Sequence, residues 1–374
     1  MKKASENHKI YRVIGCMSGT AMDGIDVAMI ETDGYGYIKP IGFISESHDP
    51  EFREKLRACL NRTDRDSDDI MAIEREFTLR HIPIINKLIQ NLNLSRKDID
   101  LIGIHGQTTH HDPDQNITIQ LCDGGLLAQE TGIDTVYDFR QADVKSGGQG
   151  APFLPVYHRA LALNAEINLP IAIINIGGVG NITWIDHDQM VAFDTGPGNA
   201  MIDDWVNTHT GDPYDKDGKI AAKGIADQTI LDEFLSSPYF SKKYPKSLDR
   251  NDFRKSEVSH LSLENGARTL LEMTVQSVAM GMSQCPTSPN AIYVTGGGRH
   301  NKTIMKRISE ITKLPVHSTD SLGWNGDAME AEGFAYMAVR RLLNEPISFP
   351  STTGCPVPTI GGVIATPDKK TAAA

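Results

Sequence analysis

An aspartate between an apolar run and a cluster of glycines is the residue best placed for proton transfer. Asp194 lies in the segment FDTGPGN, at the end of the strand-like residues 191–194. A carboxylate at the end of a strand, with small residues around it, can serve as a general base. The same aspartate could instead cap the helix predicted from Asn199 or accept hydrogen bonds from amides of the turn. Both interpretations stay open on the residues alone.

A second chemical signal is a glycine-rich turn at residues 15–26, GCMSGTAMDGID. A turn rich in glycine, serine and threonine can direct several N–H groups and a hydroxyl at phosphate oxygens. Asp23 and Asp26 could hold Mg²⁺, directly or through water, because Mg²⁺ prefers a few carboxylates together with phosphates. At Gly24 a Cβ would stand where the backbone must approach a phosphate. A plain tight turn is the alternative. The residues predicted to contact phosphate are Gly19, Thr20, Ala21, Met22, Asp23, Gly24, Ile25 and Asp26.

Two later glycine turns have the same character. NIGGVGNIT places Gly177 and Gly178 between two strand-like runs, and VTGGGRHN places Gly296 and Gly297 between a strand and a helix. The carboxyl end of a strand is where α/β sheets bind ligands. The chain contains no Walker loop and no G-x-G-x-x-G after a strand, so neither common nucleotide fingerprint applies.

The segment HGQTTHH, which begins at His105, is rich in groups that bind polar ligands. It lacks the H-E-x-x-H spacing of a helical zinc site. We therefore interpret His105 and Gln107 as polar substrate contacts at a strand end.

Composition argues against several classes of protein. With 37 basic and 48 acidic residues the net charge is −11, which argues against a general nucleic-acid binder. The five cysteines are scattered and never in C-x-x-C spacing, so neither a disulfide framework nor a zinc knuckle is expected. Neither a secretory signal nor an apolar run near the roughly 20 residues of a membrane helix is present. We expect a soluble, cytoplasmic protein.

The elements that must position these residues form a repeated pattern. Strands are predicted at 11–17, 25–32 and 37–45, then helices and strands alternate to residue 137. A similar series begins at 171–176, with strands at 182–185 and 191–194 and helices near 199–208, 219–235 and 262–284. A meander leading into β and α units is typical of an α/β fold with a mixed sheet. The two series indicate an internal duplication.

Several motifs, in order over nearly the whole chain, make it resemble the anhydro-N-acetylmuramic acid kinase family. They are MSGTAMDGID, HGQTTHHDP, DFRQADVKSGGQGAPFLP, NIGGVGNIT, FDTGPGN, PKSLDRNDF, VTGGGRHN and DAMEAEGFAYMA. The resemblance implies the actin, hexokinase and heat-shock ATPase superfamily, with two ribonuclease-H-like domains around a central ATP cleft. The domains are expected at 1–140 plus 345–374 and at 141–344. Family members commonly have Ser or Thr where Ala21 stands, so a hydroxyl is lost there.

The implied activity is an ATP-dependent kinase that opens the 1,6-anhydro ring of 1,6-anhydro-N-acetylmuramic acid with water. It would yield N-acetylmuramic acid 6-phosphate and ADP in peptidoglycan recycling and amino sugar metabolism. By match to the motifs, Asp194 would be the base and Glu330 would orient sugar or water. Glu330 could instead be an ordinary surface glutamate. Gly177, Gly178, Gly296 and Gly297 would line the nucleotide.

Arg140, in DFRQADV, could pair with the lactyl carboxylate of the sugar or form a structural ion pair. Asn199 is the remaining predicted substrate contact. The expected ligands are ATP, Mg²⁺ and the anhydro sugar, without nucleic acid or membrane, and the resemblance suggests a homodimer. Two other classes stay open. One is an ordinary sugar kinase or phosphate-ester hydrolase of the same superfamily, and the other is an ATP-driven binding module.

Overall fold

The computed structural model describes residues 8–165, 167–248 and 258–368 of the 374-residue chain. Residues 249–253, the second half of the motif PKSLDRNDF, lie outside the described residues. The strands are β1 (Tyr11–Met17), β2 (Gly24–Thr32), β3 (Ile38–Ser47), β4 (Leu101–Ile104), β5 (Gln107–Asp112), β6 (Ile117–Leu121), β7 (Thr135–Tyr137), β8 (Ile171–Ile176), β9 (Val179–Ile185), β10 (Met190–Pro197), β11 (Ala291–Thr295), β12 (Val316–Ser318) and β13 (Val363–Ala365). The helices are α1 (Pro50–Ala58), α2 (Asp68–Asn91), α3 (Gly124–Thr131), α4 (Gln141–Lys145), α5 (Pro155–Asn164), α6 (Ala200–Thr210), α7 (Gln228–Leu235), α8 (Pro238–Ser241), α9 (Leu263–Ser283), α10 (Lys302–Thr312) and α11 (Met329–Leu342).

The chain forms two compact units, each with its own mixed sheet. Unit 1 comprises Met1–Ala165 with Ala328–Ala374, and unit 2 comprises Glu166–Asp327. The unit 1 sheet has the order β3-β2-β1-β4-β7-β13, and the unit 2 sheet has the order β10-β9-β8-β11-β12. In both, a three-stranded antiparallel meander is followed by two strands parallel to the first one. The predicted α/β class and the duplicated mixed sheet are therefore confirmed.

The chain passes between the units at 165/166 and 327/328 rather than at the expected 140/141 and 344/345, because α4 and α5 belong to unit 1 and so does α11. This helix lies against β1, β2 and β4, and α5 packs on its other side. At Gly15 an added Cβ would stand 1.8 Å from the carbonyl oxygen of Ala331, and at Gly103 it would stand 2.3 Å from that of Phe334. These two glycines face each other on parallel strands β1 and β4. They let the helix backbone touch the sheet, so Gly15 serves packing rather than a ligand.

Most predicted elements are confirmed, with two corrections. The helix predicted at 219–235 is wrong: short 3₁₀ turns at Lys216–Gly218 and Ala221–Lys223 precede α7, which starts only at Gln228. The break lies at Gly224, where a Cβ would stand 2.0 Å from the carbonyl oxygen of Glu264, and Asp227 caps α7 through the Ile230 N–H. The second correction concerns the β5–β6 hairpin, which contains the histidine-rich motif and was not predicted.

Within the described parts of the chain, no helix combines the length and apolar character needed to cross a bilayer.

A buried glutamate on α11 gives the stability of unit 1 an unusual pH dependence. Glu332 is 3% exposed, and its carboxyl oxygen accepts a 2.7 Å hydrogen bond from the Tyr157 hydroxyl of α5. Burial raises the pKa of Glu332 to about 7. Between pH 4.5 and 7 the folded state therefore keeps a proton that the unfolded state loses, so stability falls as pH rises through this window and then levels off.

We expect Glu332→Gln to remove this slope. The amide oxygen can still accept from Tyr157, and no charge has to be buried at high pH. At pH 8 the variant should be more stable by about 3 kcal/mol, since the pKa of Glu332 rises from 4.5 to about 7 and each pKa unit corresponds to about 1.4 kcal/mol. Urea unfolding of both proteins at pH 5 and pH 8 measures the difference. An equal gain at both pH values would contradict burial as the cause.

Candidate functional site

The predicted site residues divide between the two units, and each set is described within its own unit. Unit 1 holds the turn of residues 19–26 together with His105, Gln107, Arg140 and Glu330. Unit 2 holds Asp194, Asn199, Gly177, Gly178, Gly296 and Gly297.

In unit 1, the turn between β1 and β2 presents backbone, the Thr20 side chain and the Asp23 carboxylate. Thr20, Ala21 and Asp23 are exposed, whereas Met22 is buried against Phe52, Leu56 and Phe77. Ile25 points into the core of the unit. Of the eight residues predicted to contact phosphate, Met22 and Ile25 can therefore contribute only backbone groups.

Gln107 is hydrogen-bonded to this turn, and its role as a substrate contact stays a prediction. Its side chain is fully buried at the start of β5. The amide oxygen accepts from the Ser18 hydroxyl at 2.8 Å, and the amide nitrogen donates to the Gly19 carbonyl at 3.1 Å. Ser18 also donates to the Gly24 carbonyl at 2.8 Å. Gln107 thus fixes the shape of the turn, because its amide oxygen and its amide nitrogen are both hydrogen-bonded to residues of the turn.

The two glycines of this turn have different reasons to be glycine. A Cβ on Gly24 would stand 2.4 Å from the carbonyl oxygen of Glu46 on the paired strand β3. Gly24 is thus required by strand pairing, and its predicted contact with phosphate stays a prediction. A Cβ on Gly19 would meet nothing within 4 Å. Only Gly19 leaves open space over its backbone.

We therefore expect Gly19→Val to weaken ATP binding without loss of stability. The valine side chain would fill the open space over the backbone and keep a phosphate from the residue 19 N–H. The lost hydrogen bond to a charged group is worth about 1.5–3 kcal/mol. The dissociation constant should then rise about 10–100-fold, as measured by calorimetry. Gly125→Ala is the matched control, because Gly125 is exposed in α3 and its change should leave binding unaltered. Unchanged affinity in a folded Gly19→Val protein would remove this turn from the nucleotide site.

Glu330 lies in the first turn of α11, among carboxylates of the β1–β2 hairpin. Burial raises the pKa of Glu330, the nearby Arg140 guanidinium opposes this, and the charges of Asp26 and Asp23 raise the pKa further. The close contact of α11 with Gly15 brings Glu330 to this end of the sheet. Glu330 is therefore a half-buried acid in a charged cluster, and the alternative of an ordinary surface glutamate is disfavoured.

Arg140 and His105 form a fixed pair in the same unit. The Arg140 Nε donates to His105 Nε2 at 2.8 Å, and one Arg140 terminal nitrogen donates to the Gly150 carbonyl. Burial lowers the pKa of His105 well below its ordinary value, and the charge of Arg140 acts in the same direction. His105 is therefore neutral and serves as an acceptor that orients the guanidinium.

In unit 2, the Gly177–Gly178 turn joins β8 to β9, and the segment before α6 closes over it. The Gly198 N–H donates to the Gly178 carbonyl at 3.0 Å, and the Asn199 N–H donates to the Gly177 carbonyl at 2.7 Å. A Cβ on Gly177 or Gly178 would approach nothing nearer than 3.8 Å. Both glycines therefore face open space, as a ligand-binding turn requires.

The third glycine turn, which follows β11, contains one glycine that the fold requires and one that is more accessible. A Cβ on Gly296 would stand 2.3 Å from the side-chain oxygen of Asn175, and this glycine has a φ of +72°. Gly296 is therefore needed by the fold. A Cβ on Gly297 would stand 3.3 Å from the Asn199 side-chain nitrogen, which leaves Gly297 more accessible.

Asn199 is the N-cap residue of α6 and belongs to this group of turns. Its side-chain nitrogen donates to the Ile176 carbonyl at 3.1 Å. Sequence reasoning placed Asn199 with the sugar contacts His105, Gln107 and Arg140. The structure places it in the other unit, beside Gly177 and Gly297.

Asp194 lies near the end of β10, at a β-bulge between Asp194 and Gly196. One carboxylate oxygen accepts from the Leu248 N–H at 2.9 Å, while the Asp194 N–H donates to the Lys246 carbonyl at 3.1 Å. The Tyr239 hydroxyl donates to the Asp194 carbonyl. The carboxylate does accept a backbone amide, as the alternative interpretation proposed, but the bond comes from the 246–248 segment and fixes its orientation.

Asp23 and Asp26 have the right chemistry for Mg²⁺. Carboxylate oxygens suit a hard cation that keeps waters and phosphates in its shell, and the Asp23 side chain is exposed beside the open Gly19 backbone. The parts of the chain described contain no group of three or more His, Cys, Asp or Glu side chains that could hold a metal by themselves. A cation here would therefore depend on ligands from a nucleotide.

The sequence of this chain matches a known protein family and several of its members. Residues 11–367 match the family model described as anhydro-N-acetylmuramic acid kinase. An anhydro-N-acetylmuramic acid kinase of Rhizorhabdus wittichii is 47% identical over 361 residues, covering 95% of this chain and 98% of that protein. One from Zymomonas mobilis is also 47% identical, covering 94% of this chain and 98% of that protein.

Among solved structures, the activator of the 2-hydroxyisocaproyl-CoA dehydratase from Clostridium difficile covers 89% of this chain with a TM-score of 0.45 and 11% identity. A ROK family glucokinase from Streptomyces griseus covers 87% with a TM-score of 0.40 and 11% identity. Likenesses at this level carry no weight for function.

Proposed function

The chain belongs to the anhydro-N-acetylmuramic acid kinase family, and from this premise we propose how its residues divide the work of the reaction. The γ-phosphoryl group of ATP passes to O6 of 1,6-anhydro-N-acetylmuramic acid while water opens the anhydro bridge. The products are N-acetylmuramic acid 6-phosphate and ADP, a step of peptidoglycan recycling. Phosphoryl transfer depends mostly on positioning and charge neutralisation, so backbone amides and carboxylates carry much of it.

Asp194 is the base that takes the proton from the attacking water. The water must approach the anomeric carbon opposite to the bridging oxygen, as in an inverting glycosidase. The phosphoryl group captures the departing oxygen, so a single carboxylate base suffices. We rest this assignment on one feature of unit 2: a carboxylate held by the Leu248 N–H at the bulged end of β10.

Glu330 and Arg140 orient the sugar. The Arg140 guanidinium pairs with the lactyl carboxylate, because its planar donors suit bidentate contact with a carboxylate and His105 already fixes its plane. Glu330, held at the end of the unit 1 sheet, accepts from sugar hydroxyls or water. Its raised pKa is consistent with a group that works in a partly desolvated site.

The nucleotide is bound by the open glycine turns. Gly19 contacts phosphate through its backbone, and Gly177, Gly178 and Gly297 line the nucleotide, since each could carry a Cβ without a backbone clash. Asp23 and Asp26 hold Mg²⁺. When bound, the ion neutralises charge on the transferring phosphoryl group.

The reaction is tested by mass spectrometry of the products formed in ¹⁸O-labelled water. Label at the anomeric position of the sugar phosphate, and none in phosphate, is the expected result. Phosphorylation without label in the sugar would identify an ordinary sugar kinase. Label in free phosphate without any sugar phosphate would show that water attacks the phosphoryl group, as expected of a phosphate-ester hydrolase or of an ATP-driven binding module.

We also propose that the protein acts as a cytoplasmic homodimer that binds neither nucleic acid nor membrane. The family resemblance supports the dimer, and the net charge of −11 disfavours polyanionic partners. Light scattering distinguishes a particle of twice 41.0 kDa from a monomer.

A further inference from the structure

Unit 1 contains a fully buried carboxylate, Asp143 of α4, to which the proposed mechanism gives no role. One of its oxygens accepts from the hydroxyls of Ser348 and Thr353, each at 2.6 Å. The other accepts from the Gly150 N–H at 2.8 Å. A buried carboxylate is costly unless it is satisfied in this way, so this one is kept by its three donors.

Gly150 connects Asp143 with Arg140. Its N–H donates to the Asp143 carboxylate, and its carbonyl accepts from the Arg140 guanidinium. The same guanidinium donates to His105. Gly150 therefore links the buried carboxylate of Asp143, through its N–H, to the guanidinium of Arg140, through its carbonyl.

The loop between Asp143 and Gly150 is shaped around the carboxylate. A Cβ on Gly148 would stand 2.2 Å from the carboxylate oxygen Oδ2, and the Gly148 N–H donates to the Asp143 carbonyl at 2.9 Å. Gly150 has a φ of +66°, a backbone conformation that favours glycine. The spacing of aspartate and glycines in DVKSGGQG therefore follows from wrapping the backbone around one side chain.

The chain after α11 closes the other side. Ser348 and Thr353 come from this segment, and the Thr353 carbonyl accepts from the Gln149 N–H at 2.6 Å. Asp143 is thus the point where the loop that carries Gly150 is attached to the C-terminal segment.

We propose that Asp143 is a positioning residue for the anhydro sugar, acting through Gly150 to hold Arg140 in the orientation that receives the substrate carboxylate. A long arginine side chain loses considerable rotamer freedom when it binds, and holding it beforehand raises affinity. The inference rests on the proposed role of Arg140 in sugar binding.

A double-mutant cycle of Asp143→Ala and Arg140→Ala tests it. Asp143→Ala should raise KM for the sugar about tenfold or more, the order expected for a lost charge-assisted hydrogen bond, and leave KM for ATP within about twofold. Because Asp143 acts through Arg140, the double variant should be no worse than Arg140→Ala alone. Effects that multiply, or equal changes in both KM values, would overturn the proposal.

Asp33→Ala is the matched control for simple destabilisation. Asp33 is a buried aspartate of the same unit that accepts from the N–H groups of Tyr35 and Tyr37 in another turn. It should lower the melting temperature without changing KM for the sugar. Asp143→Asn can keep an acceptor for Gly150 while the two hydroxyls turn to accept from its amide, so it should restore most of the affinity.

Two further measurements keep the test decisive. If Asp143→Ala does not fold, Gly148→Ala presses a methyl group against the same carboxylate oxygen and enters the same cycle. The Arg140 Nε–H resonance in ¹⁵N spectra needs no activity: Asp143→Ala should shift or broaden it, and Asp33→Ala should not. A wild-type protein that fails to phosphorylate the sugar would refute the proposed function alone, whereas an unchanged Arg140 signal would refute the role of Asp143.

Discussion

Replacing Asp194 with asparagine should lower kcat by about 10²–10⁴-fold, the usual contribution of a general base. Asparagine keeps the size of the side chain and an oxygen that can still accept from the Leu248 N–H, so the end of β10 should keep its shape. It cannot take the proton of the attacking water. Calorimetric affinity for the sugar should change little, because the lost interaction belongs to the transition state.

The matched control is Asp227→Asn in the same unit. Asp227 also accepts a backbone N–H, that of Ile230 at the start of α7, and asparagine is an equally good N-cap residue. This variant should turn over normally. Near-normal turnover of Asp194→Asn itself would remove Asp194 from the role of base, and loss of sugar affinity would assign it to ground-state binding instead.

Glu330→Gln should lower kcat/KM by about 10²-fold, the loss expected when substrate is misplaced by about 1 Å. It should also change the pH profile. Because burial and the neighbouring Asp26 and Asp23 raise the pKa of Glu330, its ionised form is lost as pH falls through a value above the ordinary 4.5. The wild-type rate should therefore decline at higher pH than a normal glutamate would cause, and the variant should lack this decline.

Glu332→Gln provides the comparison on the same helix. Glu332 contacts Tyr157 of α5, so its change should alter stability but not the acid limb of the rate profile. An identical acid limb in wild-type and Glu330→Gln proteins would assign the titration to another group.

The alternation of strands and helices was predictable because local signals agreed with the fold. Apolar runs such as 171–176 gave the strands, and the repeated meander gave the duplicated sheet. The C-terminal boundary of unit 2, at Asp327, could not be predicted from these local signals. The amphipathic pattern of α11 indicates a helix but not its partner, and it is the bare glycines of β1 and β4 that attach it to unit 1.

The chemistry of the site was predictable in kind but not in detail. Glycine clusters marked the turns at the strand ends, yet sequence alone could not separate Gly24, which β3 requires, from Gly19, which faces open space. The sequence also could not show that the Gln107 side chain is buried and hydrogen-bonded to Ser18 and Gly19. The spacing of Asp143 from Gly148 and Gly150 is the sequence signal that corresponds to its buried contacts.

The contact of α11 with Gly15 and Gly103 has a consequence for engineering this protein. A single methyl group at either position would have to lift the helix from the sheet, and Glu330 would move with it. Random libraries should therefore yield inactive but folded proteins at these two positions, although neither glycine is itself assigned to a ligand. A screen for activity alone would mistake them for catalytic residues. A parallel screen for melting temperature would show a loss of stability, because these glycines set the distance between α11 and the sheet.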